Sequence, residues 1–193
     1  MDIFLIRHGE STSDVKQKYD GDYDDHLTES GRTDAELVGQ ALKDQSIDHI
    51  FASPKIRAQE TAEIMTPYLG VETTTLPDLA EQDIYAAFLE LGKDQPEEEY
   101  RKLGEVLADR ENTYNGSEAY QDFRTRCLRA FETISTSDYQ RVAVITHGGP
   151  IRCFFREHIG TELASIGNGA IIHLSYQDGH YAIQNMHKAT LQD

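Results

Sequence analysis

Short apolar runs alternate along this chain with helically spaced apolar stripes. Ile3–Ile6 is an uninterrupted apolar run, long enough for one buried strand and too short for a helix. The segment from Asp14 to His26 is polar and reads as a loop. Thr28-Glu29-Ser30 then opens a helix with Ala35, Val38 and Leu42 on one face, flanked by Leu37 and Ala41, ending about Lys43. Asp48–Ser53 predicts a second strand. Ser53-Pro54 follows as N-cap and first helical residue of a helix with Ala58, Ala62 and Met65 in one stripe and Gly70 as C-cap. Val71–Thr75, rich in β-branched residues, predicts a third strand.

From Pro77 to Asn115 the alternation breaks. A short apolar helix near Tyr85–Leu91 and the acidic run Glu97-Glu98-Glu99 read as a helical insertion at about 77–115 that covers a site. The acidic run reads as a solvated helix face. Ser117 predicts the cap of a longer helix carrying Phe123, Cys127, Phe131 and Ile134. Arg141–Thr146 contains Val142-Ala143-Val144-Ile145, the pattern of a strand buried on both faces. Pro150 predicts a helix start, with the helix ending near Gly160, and Ala170–Tyr176 and His180–Gln184 predict a hairpin through Asp178-Gly179. The expected fold is α/β: a three-layer α/β/α sandwich with a mostly parallel central sheet and a C-terminal antiparallel hairpin, in one domain over residues 1–193.

Composition narrows the function. The 193 residues are 38% hydrophobic and 27% charged, ordinary for a globular domain. A net charge of −16 argues against nucleic-acid and anionic-membrane partners. No apolar run reaches the ~20 residues of a membrane helix, and the N-terminus lacks a basic region followed by an apolar core. Cys127 and Cys153 are isolated in the sequence and read as buried thiols of an intracellular protein, so a cytoplasmic location is expected.

The chemistry sits at strand ends. The first predicted strand ends in Arg7-His8-Gly9-Glu10, the second in Ser53 with Arg57 one helical turn on, and the fourth in His147-Gly148-Gly149. In a parallel sheet these ends share an edge, where ligands bind in open α/β folds. Two guanidinium groups and two imidazoles there favour an anion. A neutral imidazole can attack phosphorus without a metal, and neighbouring arginines disfavour imidazolium. Cleavage also needs an acid for the leaving oxygen. The remaining histidines match no ligand spacing.

These residues carry a resemblance. Arg7-His8-Gly9-Glu10-Ser11, Leu27-Thr28-Glu29-Ser30-Gly31-Arg32, Ser53-Pro54-Lys55-Ile56-Arg57-Ala58-Gln59-Glu60-Thr61-Ala62, Gly116-Ser117-Glu118 and Val144-Ile145-Thr146-His147-Gly148-Gly149 resemble the histidine phosphatase (phosphoglycerate mutase-like) superfamily, in order and over most of the chain. The resemblance implies that His8 is the nucleophile, forming a phosphohistidine. It further implies that Arg7, Arg57, His147 and Gly148 bind the phosphoryl group, with His8, Glu81 and His147 catalytic. Glu81 resembles the proton donor, with Glu60, Asp83 and Glu90 as rivals; Glu60 is expected to face solvent. Ser11, Asp14 and Gly21 are possible substrate contacts. Asp14 departs from the family, which often has asparagine there; it turns away, pairs with a cation, meets a positive group on the substrate, or merely caps a turn. Asn168 and Gly169 resemble a structural strand entry. Tyr85, Phe88 and Tyr100 could meet an organic moiety, although core packing suits Phe88 better.

The implied activity is metal-independent phosphomonoester hydrolysis of a small phosphorylated metabolite, with no cofactor and no metal. The alternatives are a phosphoglycerate mutase-type phosphotransferase and a non-catalytic phosphate-binding protein. The short span between Glu81 and His147 and the scarcity of basic residues in the insertion favour hydrolysis. The physiological ester and the oligomeric state stay open.

Overall fold

Alternate residues of one six-residue strand feed two different cores. In β1 (Asp2–Arg7), Ile3 and Leu5 pack into one hydrophobic cluster and Phe4 and Ile6 into another. Neighbouring β4 (Arg141–Thr146) does the same, with Val142 and Val144 on the first side and Ala143 and Ile145 on the second. This is the pleat of a strand covered on both faces, and it explains why both runs lack polar positions.

The structure is a computed structural model that describes residues 1–16, 25–84, 87, 91, 95–108, 110 and 117–192. The elements in order are β1, α1 (Thr12–Lys16), α2 (Glu29–Leu42), β2 (His49–Ala52), α3 (Ile56–Leu69), β3 (Thr73–Thr75), a 3-10 turn (Pro77–Leu79), α4 (Glu97–Ala108), α5 (Tyr120–Ser135), β4 and α6 (Gly148–Phe154). A π-helical turn (Phe155–Ile159) extends α6, and β5 (Leu163–Gln177) and β6 (His180–Leu191) follow. The sheet order is β3-β2-β4-β1-β5-β6. β1, β2, β3 and β4 run parallel, and β5 turns back antiparallel to both β1 and β6. Helices α2 and α3 cover one face through Val38, Leu42, Ala58, Ala62 and Met65. Helices α5 and α6 cover the other through Phe131, Ile134, Ile151 and Phe154. The expected α/β architecture, parallel centre and C-terminal antiparallel pair are all present.

Helix starts follow their caps. Thr28 Oγ1 accepts the Gly31 N–H at 3.0 Å, so α2 begins where predicted. The predicted Ser53 cap is wrong: α3 begins at Ile56 after Lys55, and the Ser53 hydroxyl, which accepts the Lys55 N–H at 3.3 Å ahead of the helix, meets His147 at 2.7 Å. Ser117 likewise is not the N-cap of the next helix. The following helix starts at Tyr120 after Ala119, and the intervening Glu118 is drawn back to Arg126. Gly70 does close α3, at φ 69°. α6 begins at Gly148, two residues before Pro150.

The third strand is shorter than predicted. The hairpin strands are much longer, because β-bulges around Ile166–Ile171 carry pairing through a stretch with no two-residue alternation. Cys127 and Cys153, separate in sequence, pack in one buried cluster with Phe123. Ala87, Leu103, Ile84, Leu91 and Tyr100 form a small cluster of their own. Gly21, Tyr85, Phe88, Glu90 and Gly116 lie outside the described residues, as do most of the predicted Tyr85–Leu91 helix and most of the acidic loop before Asp25.

Candidate active site

Register places the chemistry. Arg7 pairs with Thr146 and Ala52 with Ile145, so β1, β2 and β4 end level with one another. The next residue of each strand is anchored there too: His8 N–H donates to Thr146 O at 3.0 Å and Ser53 N–H to Ile145 O at 2.9 Å. His8, Ser53 and His147 therefore meet on one sheet edge although they are separated by much of the chain. The His8 and His147 rings lie 4.9 Å apart, both buried. The turn after β1 also needs its glycines. A Cβ on Gly9 would stand 2.1 Å from Gly31 O, and one on Gly31 would stand 1.9 Å from Glu10 O, so this turn packs backbone against backbone on the start of α2.

Hydrogen bonds define the tautomer of His8. Its Nδ1 lies 2.7 Å from Gly9 O, which can only accept, so Nδ1 carries the proton. Nε2 is left with its lone pair, which accepts from Arg57 Nε at 3.2 Å. Burial, then the Arg57 charge, push the His8 pKa down to about 3, so the ring is neutral at ordinary pH. Burial, with His8 and Arg57 nearby, holds His147 well below the usual histidine range as well. Ser53 Oγ meets His147 Nε2 at 2.7 Å.

Each arginine of the cluster is held by an aspartate. Buried Arg57 donates from Nη1 to Asp25 Oδ1 at 3.1 Å, and Asp25 Oδ2 accepts the Ser13 N–H. Arg7 donates from Nη1 to Ile166 O and from Nη2 to Asp14 Oδ1, both at 2.8 Å. Asp14 therefore points toward the site and pairs with a cation. Among the described residues, the buried side-chain polar atoms without a partner are Arg7 Nε and His147 Nδ1, both in this cluster. A buried polar atom left unpaired is costly, and such atoms collect where a ligand completes them.

A cavity of about 310 Å³ opens over the cluster, lined by Arg7, His8, Asp14, Arg57, Glu81 and Arg152 among others. Gly148 lines it too, with open space where a Cβ would stand. His147 is buried beside His8 and is not among the lining residues. Ser11 is buried, and its hydroxyl supports Asp14 at 2.9 Å.

Glu81 reaches the cavity on an irregular segment, so something outside that segment must hold it. Its Oε2 accepts the Gly149 N–H at 3.0 Å and its Oε1 accepts the Gln82 N–H at 2.9 Å. A Cβ on Gly149 would stand 1.9 Å from Glu81 Oε1, so any other residue there would displace the carboxylate from this position. Arg126 of α5 supports the backbone from below. Its Nη1 donates to Asp78 O at 3.0 Å and Ala80 O at 2.7 Å, and its Nη2 donates to Glu81 O at 3.0 Å. Its remaining donors go to the Glu118 carboxylate at 2.6 and 2.7 Å. Thr146 adds a 2.6 Å bond to Leu79 O.

The rivals of Glu81 are elsewhere. Glu60, expected to face solvent, instead ties down the turn before α2 through the Leu27 N–H at 2.7 Å and His26 at 2.9 Å. Asp83 does not line the cavity. Asp25, Arg126 and Arg152 escaped the sequence reading because no short motif surrounds them. Asn168 was read as structural, yet its Nδ2 donates to Asp14 at 3.2 Å. No described helix is long and apolar enough to cross a membrane.

Comparison with known proteins bears on the fold and the family. Residues 3–188 match the family model described as "Histidine phosphatase superfamily (branch 1)". "Phosphoglycerate mutase-like protein 4" of Arabidopsis thaliana is 32% identical over 161 residues, spanning 80% of this chain and 69% of that protein. "Uncharacterized phosphatase PhoE" of Bacillus subtilis is 29% identical over 159 residues, spanning 82% of this chain and 77% of that one. The crystal structure of the alpha-ribazole phosphatase from Shigella flexneri superposes with a TM-score of 0.76 at 21% identity and covers 98% of each chain, a likeness of fold.

Proposed function

The chain belongs to the histidine phosphatase superfamily, whose members found here are phosphatases and mutase-like proteins, and on that premise we propose that it is a phosphomonoesterase working through a phosphohistidine on His8. The observation that carries this reading is the state of His8: neutral, with Nδ1–H fixed on Gly9 O and a lone pair on Nε2 beside two guanidinium groups.

The proposed reaction follows from those positions. A phosphoryl group enters the cavity, and its oxygens take Arg7 Nε–H and the Arg57 guanidinium. These charges stabilise the equatorial oxygens in the transition state. His147, with Ser53 donating to Nε2, would offer its Nδ1–H to the same group. The His8 Nε2 lone pair forms the P–N bond as the P–O bond to the leaving group breaks. The leaving oxygen takes a proton from Glu81. Glu81 then removes a proton from water, the water oxygen attacks phosphorus, and the P–N electron pair returns to Nε2. The cavity suits a small ester.

The decisive measurement is a rapid-quench experiment with a ³²P-labelled aryl phosphate. An acid-labile, alkali-stable label on wild-type protein is expected, absent in His8→Asn. A stoichiometric label that persists in His8→Asn would remove His8 as nucleophile. The mutase alternative is favoured by the names of the plant relative and of several bacterial relatives called probable phosphoglycerate mutases. Interconversion of 3- and 2-phosphoglycerate that requires a bisphosphorylated primer would establish it over hydrolysis.

A further inference from the structure

Arg7 has a built-in competitor for its ligand. Asp14 Oδ1 takes Arg7 Nη2–H at 2.8 Å, and Asp14 Oδ2 is held by Ser11 N–H at 2.9 Å, Ser11 Oγ–H at 2.9 Å and Asn168 Nδ2–H at 3.2 Å. Four donors on one carboxylate fix it against the guanidinium rather than letting it swing away. Both Arg7 and Asp14 line the cavity. Ile166 O takes one N–H of Nη1 and Asp14 one of Nη2, and the buried Nε–H has no partner, so Arg7 meets a ligand with its Nε–H and whichever Nη hydrogens these two acceptors leave. Burial alone would raise the Asp14 carboxyl, but the Ser11 N–H and the Arg7 charge outweigh it, and the group lies below the usual carboxylate range as an anion.

The charges facing Asp14 come from every side. Arg7 ends β1 and His8 follows it, and Asp25 is joined to α1, the helix of Asp14, through the Ser13 N–H. Asn168 reaches in from β5 with a neutral amide. Farther around the cavity stand Arg57, Arg152 and Glu81. Two of the guanidinium groups that line the cavity, Arg7 and Arg57, are thus each paired with an aspartate, Asp14 and Asp25. A cavity balanced in this way attracts a dianion much less than the arginines alone would.

We propose that Asp14 limits the affinity of the site for oxyanions by competing for Arg7, so that inorganic phosphate, the product of hydrolysis, is released readily. The inference rests on the reading of the cavity as a phosphoryl site. It makes Asp14 a specificity-determining residue: the site holds a phosphoryl group well only when the rest of the ester adds contacts, and holds free phosphate poorly.

The test is calorimetric titration of inorganic phosphate at pH 7.5 into wild type, Asp14→Asn and Glu81→Gln, each checked for native circular dichroism. Asparagine keeps the shape of the side chain and removes its charge. Phosphate is expected to bind Asp14→Asn at least about tenfold tighter than wild type, equivalent to about 1.4 kcal/mol. Its inhibition constant as a product, and the KM of an aryl phosphate, should fall by a similar factor, with a smaller change in kcat. Equal or weaker binding to Asp14→Asn would mean that Asp14 only orients Arg7, and would overturn the proposal. So would equal tightening in Glu81→Gln, because cavity charge in general would then be responsible. Should Asp14→Asn fail to fold, Asp14→Ser serves with the same expectations. Binding of phosphate to none of the proteins would overturn the phosphoryl-site reading itself. Binding to all of them with the affinities reversed overturns only the role of Asp14.

Discussion

The histidine cradle and the Glu81 arm face the same cavity but are held by different means. The cradle is set by the sheet. His8, Ser53 and His147 leave three parallel strands whose ends are level, and backbone bonds from His8 to Thr146 and from Ser53 to Ile145 lock that alignment. Its residues are buried in a doubly covered sheet, where the backbone cannot shift without breaking ladder bonds. The arm has no ladder. Residues 78–81 are held mainly by side-chain bonds: Arg126, its charge balanced by Glu118, donates to three of their carbonyls, Thr146 donates to a fourth and Arg129 pairs with Asp78. The lesson is that groups which must hold still relative to one another sit on strands, whereas the proposed acid is positioned by side-chain bonds and can respond to the leaving group.

The sharpest way to break this contrast is to remove one member of each half. His8→Asn should lower turnover by about 10⁴-fold or more while phosphate binding, followed by calorimetry, survives. Near-wild-type turnover would return the nucleophile to an open question. On the other half, Glu81→Gln should slow alkyl phosphates by about 10²–10³-fold, and an aryl phosphate such as p-nitrophenyl phosphate far less. Equal slowing of both would mean that no proton is donated from Glu81.

Arg126→Gln extends the comparison to the support of the arm. It takes the Arg126 donors from three carbonyls and removes the cation beside the partly buried Glu118 carboxylate, and should cost about 3 kcal/mol of stability by urea unfolding. In the folded protein it should show the leaving-group pattern of Glu81→Gln, and the double variant should be no slower than the worse single one. Additive losses would separate Arg126 from Glu81. Gly149→Ala is a milder probe of the same arm. Its methyl group would overlap Glu81 Oε1, so kcat for alkyl esters should fall about tenfold or more with little change in phosphate affinity.

The smallest expected effect concerns pH and the cradle alone. His8 has a pKa of about 3 in the fold against 6.5 when unfolded, so below pH 6.5 the unfolded chain takes up a proton that the native state refuses. Stability therefore falls as pH drops from 6.5 toward 3, and buried His147 acts in the same direction. His8→Asn should flatten that decline by about 1 kcal/mol per pH unit, read from urea midpoints at pH 6.5 and 4.5. Parallel curves for the two proteins would show that His8 is already protonated in the folded state.

Legibility in the sequence followed the same division. Apolar runs at Ile3–Ile6 and Val142–Ile145, each ending in a histidine, announce buried strands with chemistry at one end, because burial on both faces leaves no polar position to blur the signal. Ser53 was visible as a functional neighbour but misread as a cap, since sequence adjacency to Pro54 could not reveal a partner ninety-four residues away in His147. The long C-terminal strands escaped because bulges interrupt their alternation.

By itself the sequence determined the layered α/β plan, the strand ends that carry Arg7, His8, Ser53 and His147, and membership of a family whose motifs span the chain. Those features are local: periodicity and short spacings record them. Tertiary structure alone decided that Asp14 and Asp25 pair with the two arginines, that Arg126 carries Glu81 on its guanidinium, and that Arg152 joins the cavity. Each depends on a long-range meeting of side chains whose spacing along the chain is arbitrary, and register and packing fix such meetings only after the chain has folded.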